Sequence, residues 1–383
     1  MDWIVAPDAA EWQLADTLPS ALGAMGTAGF TDRIGLPECS SAAVLLIDGL
    51  GWRLLREYAA DAPTLTELDT ARPGAAGFPT TTATSIASLG TGCCSGEHGV
   101  VGYSFAEPGG ALLRPLSWTR RNGSGQDTSM LASWPPEEVQ PKRTVPQRAV
   151  AAGVDTRLVV PAEFEGTGLT RAALRGGDVR GVHALGDLAA QLLAAMAEPA
   201  PVLCYGYHGQ LDMLGHVHGP GSPPWRMQLR QVDRLVESVA ERLPAGSQLL
   251  VVADHGMVPS DPDRAPDFDT DEELARGVRL VGGEVRVRHV YTEPGATPDV
   301  LATWREKLGS DAVVVTAEEA VEAGWFGAVI SEGVRARIGD VIALARHNGV
   351  IRSSAEPNAA VLLGQHGSLT ADEQYVPLLL ARG

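Results

Sequence analysis

Short, uninterrupted apolar runs recur along the chain at Ala42–Ile47, Thr156–Val160, Pro201–Tyr205, Gln248–Ala253 and Ala359–Leu363. Each is rich in Val, Leu or Ile and lacks polar alternation, the pattern of strands covered on both faces. Between them, Ala184–Ala197 and Trp225–Arg242 read as helices. In the second, Met227, Leu229, Val232, Leu235, Val236 and Val239 fall on one helical face. Strand alternating with helix predicts an α/β fold, a doubly wound and mostly parallel sheet flanked by helices.

Two regions break the rhythm. The stretch Phe105–Arg148 is rich in Pro, Gly, Ser and Trp and reads as a long decorated loop, with Trp118 and Trp134 as packing anchors or as stacking platforms for a leaving group. The stretch from Pro259 begins acidic and then alternates over Glu284–Tyr291 like a half-exposed strand. Val300–Leu308, Glu318–Ala323 and Glu332–Arg337 read as short helices. This gives a core of residues 1–258 and 359–383 and a smaller cap subdomain, 259–358, inserted in it.

Composition narrows the functional classes. The chain has 383 residues, of which 44% are hydrophobic and 20% charged, so it can bury a core without disulfides or a structural metal. Its net charge of −17 argues against binding nucleic-acid polymers or anionic membranes. A small phosphate ester stays possible, because bound cations reverse the sign of one pocket. No run of apolar residues is long enough to span a bilayer and no secretory signal opens the chain, so a cytoplasmic location is expected. Cys39, Cys93, Cys94 and Cys204 fit no disulfide or zinc-ribbon spacing and read as reduced thiols.

In an open α/β sheet, ligands bind beyond the carboxyl ends of the strands. The first run ends in Asp48 (VLLIDGLG) and a later one in Asp254 and His255 (LLVVADHGM). The run at Cys204 is followed by Asp212 and His216 (GQLDMLGHVHG), and the last by His366 (LLGQHGSL). Any one of these also reads as a turn, a cap or a surface pair. Their joint occurrence at strand ends is what matters, and carboxylate oxygen with imidazole nitrogen suits Zn²⁺ or Mn²⁺. The segment Gly77–Tyr103 adds Thr80, Thr81 and Thr82, leading into a run of small residues able to start a helix. A hydroxyl there meets a helix N-terminus, which favours an alkoxide and an incoming phosphoryl group.

These motifs resemble the type I phosphodiesterase / nucleotide pyrophosphatase family of the alkaline phosphatase superfamily. The resemblance is dense over Ala42–Tyr103 and Pro201–Met257, with a further match at His366. It implies an alkaline phosphatase-like core, two divalent metal ions (Zn²⁺, with Mn²⁺ as the alternative) and a hydroxyl nucleophile. Asp48, Asp254 and His255 would bind one ion together with the nucleophile; Asp212, His216 and His366 would bind the other. Aligning Pro79, Thr91-Gly92 and His98-Gly99 onto the family's pattern selects Thr82 as nucleophile over Thr80 and Thr81. Two departures stand out. Gln210 and Leu211 replace the usual acidic and proline residues, and Tyr103 stands where an Asn usually contacts a phosphate oxygen, which makes Tyr103 a substrate-binding candidate.

The activity implied is hydrolysis of a small phosphate ester, a nucleotide being one candidate, by a phosphodiesterase or nucleotide pyrophosphatase working through phosphothreonine. A phosphomonoesterase, a phosphonate hydrolase and a catalytically silent binding protein are the alternatives. No arginine that would favour monoester dianions stands out; Arg114, Arg120 and Arg121 lie in the variable stretch. Sulfatase chemistry is disfavoured because no C-x-P-x-R or S-x-P-x-R sequence is present, and a mutase would carry a longer insertion and a Ser nucleophile.

Overall fold

The computed structural model describes residues 3–121, 127–199, 201–260, 266–356 and 361–383. Its central sheet is built from β1 (Ser41–Ile47), β2 (Asp155–Pro161), β3 (Asp178–Val182), β4 (Val202–His208), β5 (Ser247–Val252) and β10 (Leu379–Arg382). The order is β10-β5-β1-β4-β2-β3, parallel throughout except for β10 at the edge. Every residue of β1, β4 and β5 is buried, which explains why they read as continuous apolar runs. The register pairs Leu46 with Val252 and Ile47 with His208. The three central strands therefore end side by side, and the loops that leave them start from one place.

Helices α1 (Thr82–Thr91), α2 (Leu185–Met196), α3 (Gln210–His218) and α4 (Pro223–Ala240) flank the sheet. Helix α4 buries Leu229, Val232, Leu235, Val236 and Val239 as expected, and Trp225 with them, whereas Met227 points outward and is exposed. Among the described residues no helix is long and apolar enough to cross a membrane.

The stretch 105–148 is not a loop. It forms a small antiparallel meander of strands Phe105–Ala106, Leu112–Arg114, Thr119–Arg121 and Asp127–Ser129, followed by helices Pro136–Val139 and Val145–Ala151. Strands of two or three residues are too short to show a period. Trp118 is buried and donates its indole N–H to the Trp134 carbonyl (2.9 Å), so both tryptophans anchor packing.

Within 259–358, β6 (Val278–Glu284), β7 (Val287–Thr292), β8 (Ala312–Thr316) and β9 (Val341–Ala345) form an antiparallel sheet in the order β6-β7-β9-β8. Alternate residues serve two cores. Val290, Val314, Val341 and Ala343 pack with Val300 and Trp304 of α5 (Thr297–Leu308), while Val287, Val315, Ile342 and Leu344 join the main core. The pattern over Glu284–Tyr291 thus belongs to a hairpin rather than one half-exposed strand. Strand β7 is buried throughout, its charged positions included. Arg288 and the adjoining Arg286 are tolerated inside because they pair with Glu356 and Glu373. The helix expected at Glu332–Arg337 is the single turn Arg335–Ile338.

The last apolar run also differs from expectation. Ala359 lies outside the described residues, Val361–Leu363 is not a strand, and the returning strand of the main sheet is β10. The nearer pairing is a two-residue bridge, Gly364–Gln365 with Val258–Pro259. The four cysteines are free thiols, and burial pushes Cys204 up to about 12.

Three histidines away from the strand-end cluster are buried and neutral. Desolvation lowers His98 to about 3 and His208 and His289 to about 4. His98 accepts the Val100 N–H at Nδ1 (3.1 Å) and sits 3.0 Å from Ser88 Oγ through Nε2, a local structural role. Unfolding lets each imidazole titrate near its ordinary 6.5, so the unfolded chain binds more protons between about pH 6.5 and 4. Stability is full above that window and falls on acidification, by up to about 1.4 kcal/mol per pH unit for each group. Thermal melts from pH 7 to 4.5 should show this slope, and His289→Gln should reduce it by about one proton; an unchanged slope would assign the acid sensitivity elsewhere.

Candidate active site

The loops after β1, β5 and β4 converge at the carboxyl edge of the sheet. Asp48 follows β1, and its N–H continues the ladder to the His208 carbonyl (2.9 Å). Asp254 Oδ1 accepts the Gly49 N–H (3.1 Å) and the His255 N–H (3.0 Å), so one carboxylate ties two loops together. Asp212 lies in the first turn of α3. Gly49 has φ +73°, and a Cβ there would come within 3.0 Å of the Asp212 Cα. Only glycine lets the Asp48 loop and α3 approach this closely.

The side chains point inward as a set. His255 Nε2 lies 3.5 Å from Asp48 Oδ1, 3.4 Å from Asp254 Oδ2 and 3.3 Å from Thr82 Oγ1. His216 Nε2 lies 3.3 Å from Asp212 Oδ2 and 3.2 Å from His366 Nε2. The His255 and His366 rings stack with centroids 3.6 Å apart. All six acid and imidazole residues expected from sequence are thus in one cluster, with Thr82 at its edge as the first residue of α1. Thr80 is occupied elsewhere, donating to the Ser368 carbonyl (2.8 Å) and accepting the Gly367 N–H (3.0 Å). Thr81 is the N-cap of α1 and hydrogen-bonds Glu284.

The donors fit divalent cations. Each of the three imidazoles has Nδ1 on a backbone carbonyl: His255 on Gly256 (3.0 Å), His216 on Gly364 (2.7 Å) and His366 on Thr80 (2.8 Å). Donation there leaves an Nε2 lone pair facing the cluster, the arrangement of ligating histidines. Two such lone pairs 3.2 Å apart, on His216 and His366, repel each other unless a positive charge lies between them. Asp48 Oδ1, Asp212 Oδ1 and Asp254 Oδ2 are buried with no hydrogen-bond partner. Ligand atoms of Asp212, His216 and His366 lie within 4.8 Å of one another, and so do those of Asp48, Asp212 and His255. Asp212 belongs to both groups and so lies between them.

Electrostatics agree. Burial, then the charges of Asp254 and Asp212, hold the Asp48 carboxyl well above the usual carboxylate range. For Asp212, burial acts upward, but His216, with smaller help from His366 and His255, brings it below that range. Burial and the neighbouring His255 push His366 well below an ordinary imidazole. Buried carboxylates crowded this way require compensating positive charge to stay ionised together.

Two chambers flank Thr82. One, about 210 Å³, is mainly apolar and lined by Ile86, Leu116, Phe164, Leu169 and Tyr207 among others. The other, about 440 Å³, is lined by Tyr103, Asp212, His216, Glu284, Glu356 and His366 among others. No Lys or Arg is among the described residues lining either. Arg114 pairs with Asp127 and Arg120 with Glu107, and neither lines a chamber; the Arg121 side chain is outside the described set. His208 lines neither chamber and meets Gln228 instead (3.0 Å), and His218 is exposed on α3.

The profile of the type I phosphodiesterase / nucleotide pyrophosphatase family matches residues 42–369, from β1 through the His366 loop. The chain belongs to that family. It is a family of phosphoester hydrolases in the alkaline phosphatase superfamily, whose members are metal-dependent. Among solved structures, human ectonucleotide pyrophosphatase / phosphodiesterase 5 superposes with a TM-score of 0.66 at 17% identity, covering 89% of this chain and 87% of that one. The inactive murine protein in complex with AMP gives 0.67 at 18%, covering 90% and 88%. Phosphonoacetate hydrolase from Sinorhizobium meliloti 1021, in complex with phosphonoformate, gives 0.64 at 20%, covering 90% of each chain. These likenesses establish the fold.

Sequence matches to curated proteins are shorter. The catalytic subunit of human GPI ethanolamine phosphate transferase 3 is 40% identical over 47 residues, 12% of this chain and 4% of that protein. Phosphopentomutase of Anaeromyxobacter dehalogenans is 28% identical over 160 residues, 41% of this chain and 39% of that one.

Two residues at this candidate site were not apparent from sequence. Tyr207 donates its hydroxyl to Asp48 Oδ2; it lies in β4 just past the apolar run Pro201–Tyr205 and stood in none of the motifs read from sequence. Glu284, at the end of β6, brings a carboxyl to 3.8 Å from His366 Nδ1, with Oε1 buried and unpartnered. Burial pushes that carboxyl well above its usual range. Its distance from the other motifs along the chain conceals it.

Proposed function

We propose that the protein hydrolyses phosphodiesters of small molecules, with Thr82 as the nucleophile. The observation that carries this reading is the convergence of the Thr82 hydroxyl on three Nε2 lone pairs and three unpartnered carboxylate oxygens. Asp48, Asp254 and His255, with Thr82, would hold one divalent cation, and Asp212, His216 and His366 a second, with Zn²⁺ expected and Mn²⁺ the alternative. Two such cations supply charge stabilisation for both the attacking and the departing oxygen and lower the pKa of a bound hydroxyl.

The residues of the chain provide the rest. Thr82 Oγ loses its proton to solvent and forms a bond to phosphorus, while the opposite P–O bond breaks and the leaving alcohol takes up a proton. The phosphoryl group on the threonine keeps the second ester group; attack of water on it then breaks the Thr82 Oγ–P bond, restores the hydroxyl and releases a phosphate monoester. The α1 N-terminus favours the negative charge gathered at this point. Tyr103, on the wall of the larger chamber, would donate to a phosphate oxygen, and the apolar chamber would take the organic group of the ester. Residues 1–258 and 359–383 would form the catalytic core, and 259–358 a cap bearing on leaving-group choice.

A diester is favoured over a monoester because no guanidinium or ammonium lines either chamber, among the described residues, to meet the second charge of a monoester dianion. A charge-assisted hydrogen bond of that kind contributes about 1.5–3 kcal/mol, or roughly ten- to hundredfold in rate. Side-by-side kcat/KM values for bis-p-nitrophenyl phosphate, p-nitrophenyl phosphate, a nucleotide pyrophosphate and phosphonoacetate test this. The diester should lead the monoester by about tenfold or more. A leading monoester or phosphonate would replace the reading with the corresponding hydrolase, and absence of turnover and of bound metal would indicate a silent binding protein.

A further inference from the structure

We propose that the buried Arg286–Glu373 ion pair is a positioning element for the cluster, through which packing of the β6–β7 hairpin sets how tightly the His366 side binds its cation. The proposal rests on the two-cation reading above. Arg286 lies between β6 and β7, and Glu373 lies in the helix Ala371–Gln374, 87 residues on. Their contact is bidentate, Nε to Oε1 at 3.0 Å and Nη2 to Oε2 at 2.7 Å, and both side chains are 0% exposed.

A pair this deep is a poor source of stability, because desolvating two charges offsets most of their attraction. Its position gives it another role. Glu373 Oε1 also accepts the Ser368 N–H (3.0 Å), and Oε2 accepts the Thr370 hydroxyl (2.6 Å). Both belong to the turn that carries His366. The Glu373 backbone carbonyl accepts the Gly256 N–H (2.8 Å), immediately after His255. The Ser368 carbonyl in turn accepts from Thr80 Oγ1 (2.8 Å), and the Ser368 hydroxyl donates to the Ala345 carbonyl at the end of β9 (2.6 Å). The His366 loop and the His255 loop meet at Glu373, the threonine turn joins them through Ser368, and Arg286 neutralises the Glu373 carboxylate.

The test is calorimetric titration of chelated, metal-free protein with Mn²⁺, alongside its melting temperature. Wild type should take up two ions. Glu373→Gln keeps only one acceptor oxygen and loses the clamp, so one binding step should weaken about 10- to 100-fold, the usual effect of removing support from a ligating histidine. That step should be the one also lost in His216→Ala. The double variant Arg286→Met/Glu373→Gln leaves no uncompensated charge, so its metal-free melting temperature should recover toward wild type while the weakened step stays weak. It also carries the test if Glu373→Gln alone does not fold. Affinities within about twofold of wild type in the folded variants, or recovery of affinity together with melting temperature, would overturn the proposal by showing a purely structural pair. A wild type that binds no Mn²⁺ would instead overturn the two-cation reading, and this proposal with it.

Discussion

Thr82→Ala is expected to lower kcat on a diester by at least about 10⁴-fold, while cation content and melting temperature stay near wild type. The size follows from losing the proposed nucleophile; removing an active-site serine in a hydrolase costs on the order of 10⁶-fold. The specificity follows from geometry. Thr82 is almost buried, and its hydroxyl meets His255 Nε2, whereas the Thr80 hydroxyl is engaged with Ser368 and Gly367. Thr80→Ala should therefore destabilise the fold rather than abolish chemistry selectively. Thr82→Ser keeps the oxygen and should retain measurable turnover. Single-turnover quench with a chromogenic diester should reveal a threonine carrying the remaining phosphoryl ester in wild type and none in Thr82→Ala. Full activity in Thr82→Ala, with loss in Thr81→Ala, would move the nucleophile by one residue.

The features legible in the sequence are those fixed by local order. The central strands announced themselves because strands covered on both faces admit few polar residues, and the motifs at their ends needed only the rule that parallel strands deliver their C-termini to one edge. What stayed hidden depends on partners far along the chain. Arg286 and Arg288 look like the outward face of a strand until Glu373 and Glu356 are placed against them. Glu284 is a lone acid in an alternating stretch, yet its carboxyl reaches the cluster. The meander from Phe105 to Ser129 is built of pairs too short for a period, and β10 is a short edge strand near the chain's end. Met227 satisfies the helical spacing of α4 but sits at the margin of its apolar stripe, where it meets solvent.

Asp48→Asn separates the two roles a buried carboxylate can play, because its effects on the metal-free and metal-loaded protein are expected to have opposite sign. Without cations, burial and the charges of Asp254 and Asp212 disfavour ionised Asp48, so a neutral isostere should leave the melting temperature unchanged or raise it. The amide oxygen can still accept from the Tyr207 hydroxyl, so that contact survives. With cations the change would remove a proposed negative ligand beside His255, 3.5 Å away. The ion there should bind more than about 100-fold more weakly, exceeding the effect of losing a supporting group. Turnover should fall by about 10³-fold or more, the scale of losing one preorganised stabiliser of transition-state charge. Wild type stripped with a chelator should lose activity, regain it on adding Zn²⁺ or Mn²⁺, and melt higher when loaded, because an ion bound only by the folded state stabilises it. In Asp48→Asn that added stabilisation should shrink. If the variant retained two tightly held ions by metal analysis and the full cation-dependent rise in melting temperature, Asp48 would be an ordinary buried acid sustained by Tyr207, and the cluster would need a different set of ligands.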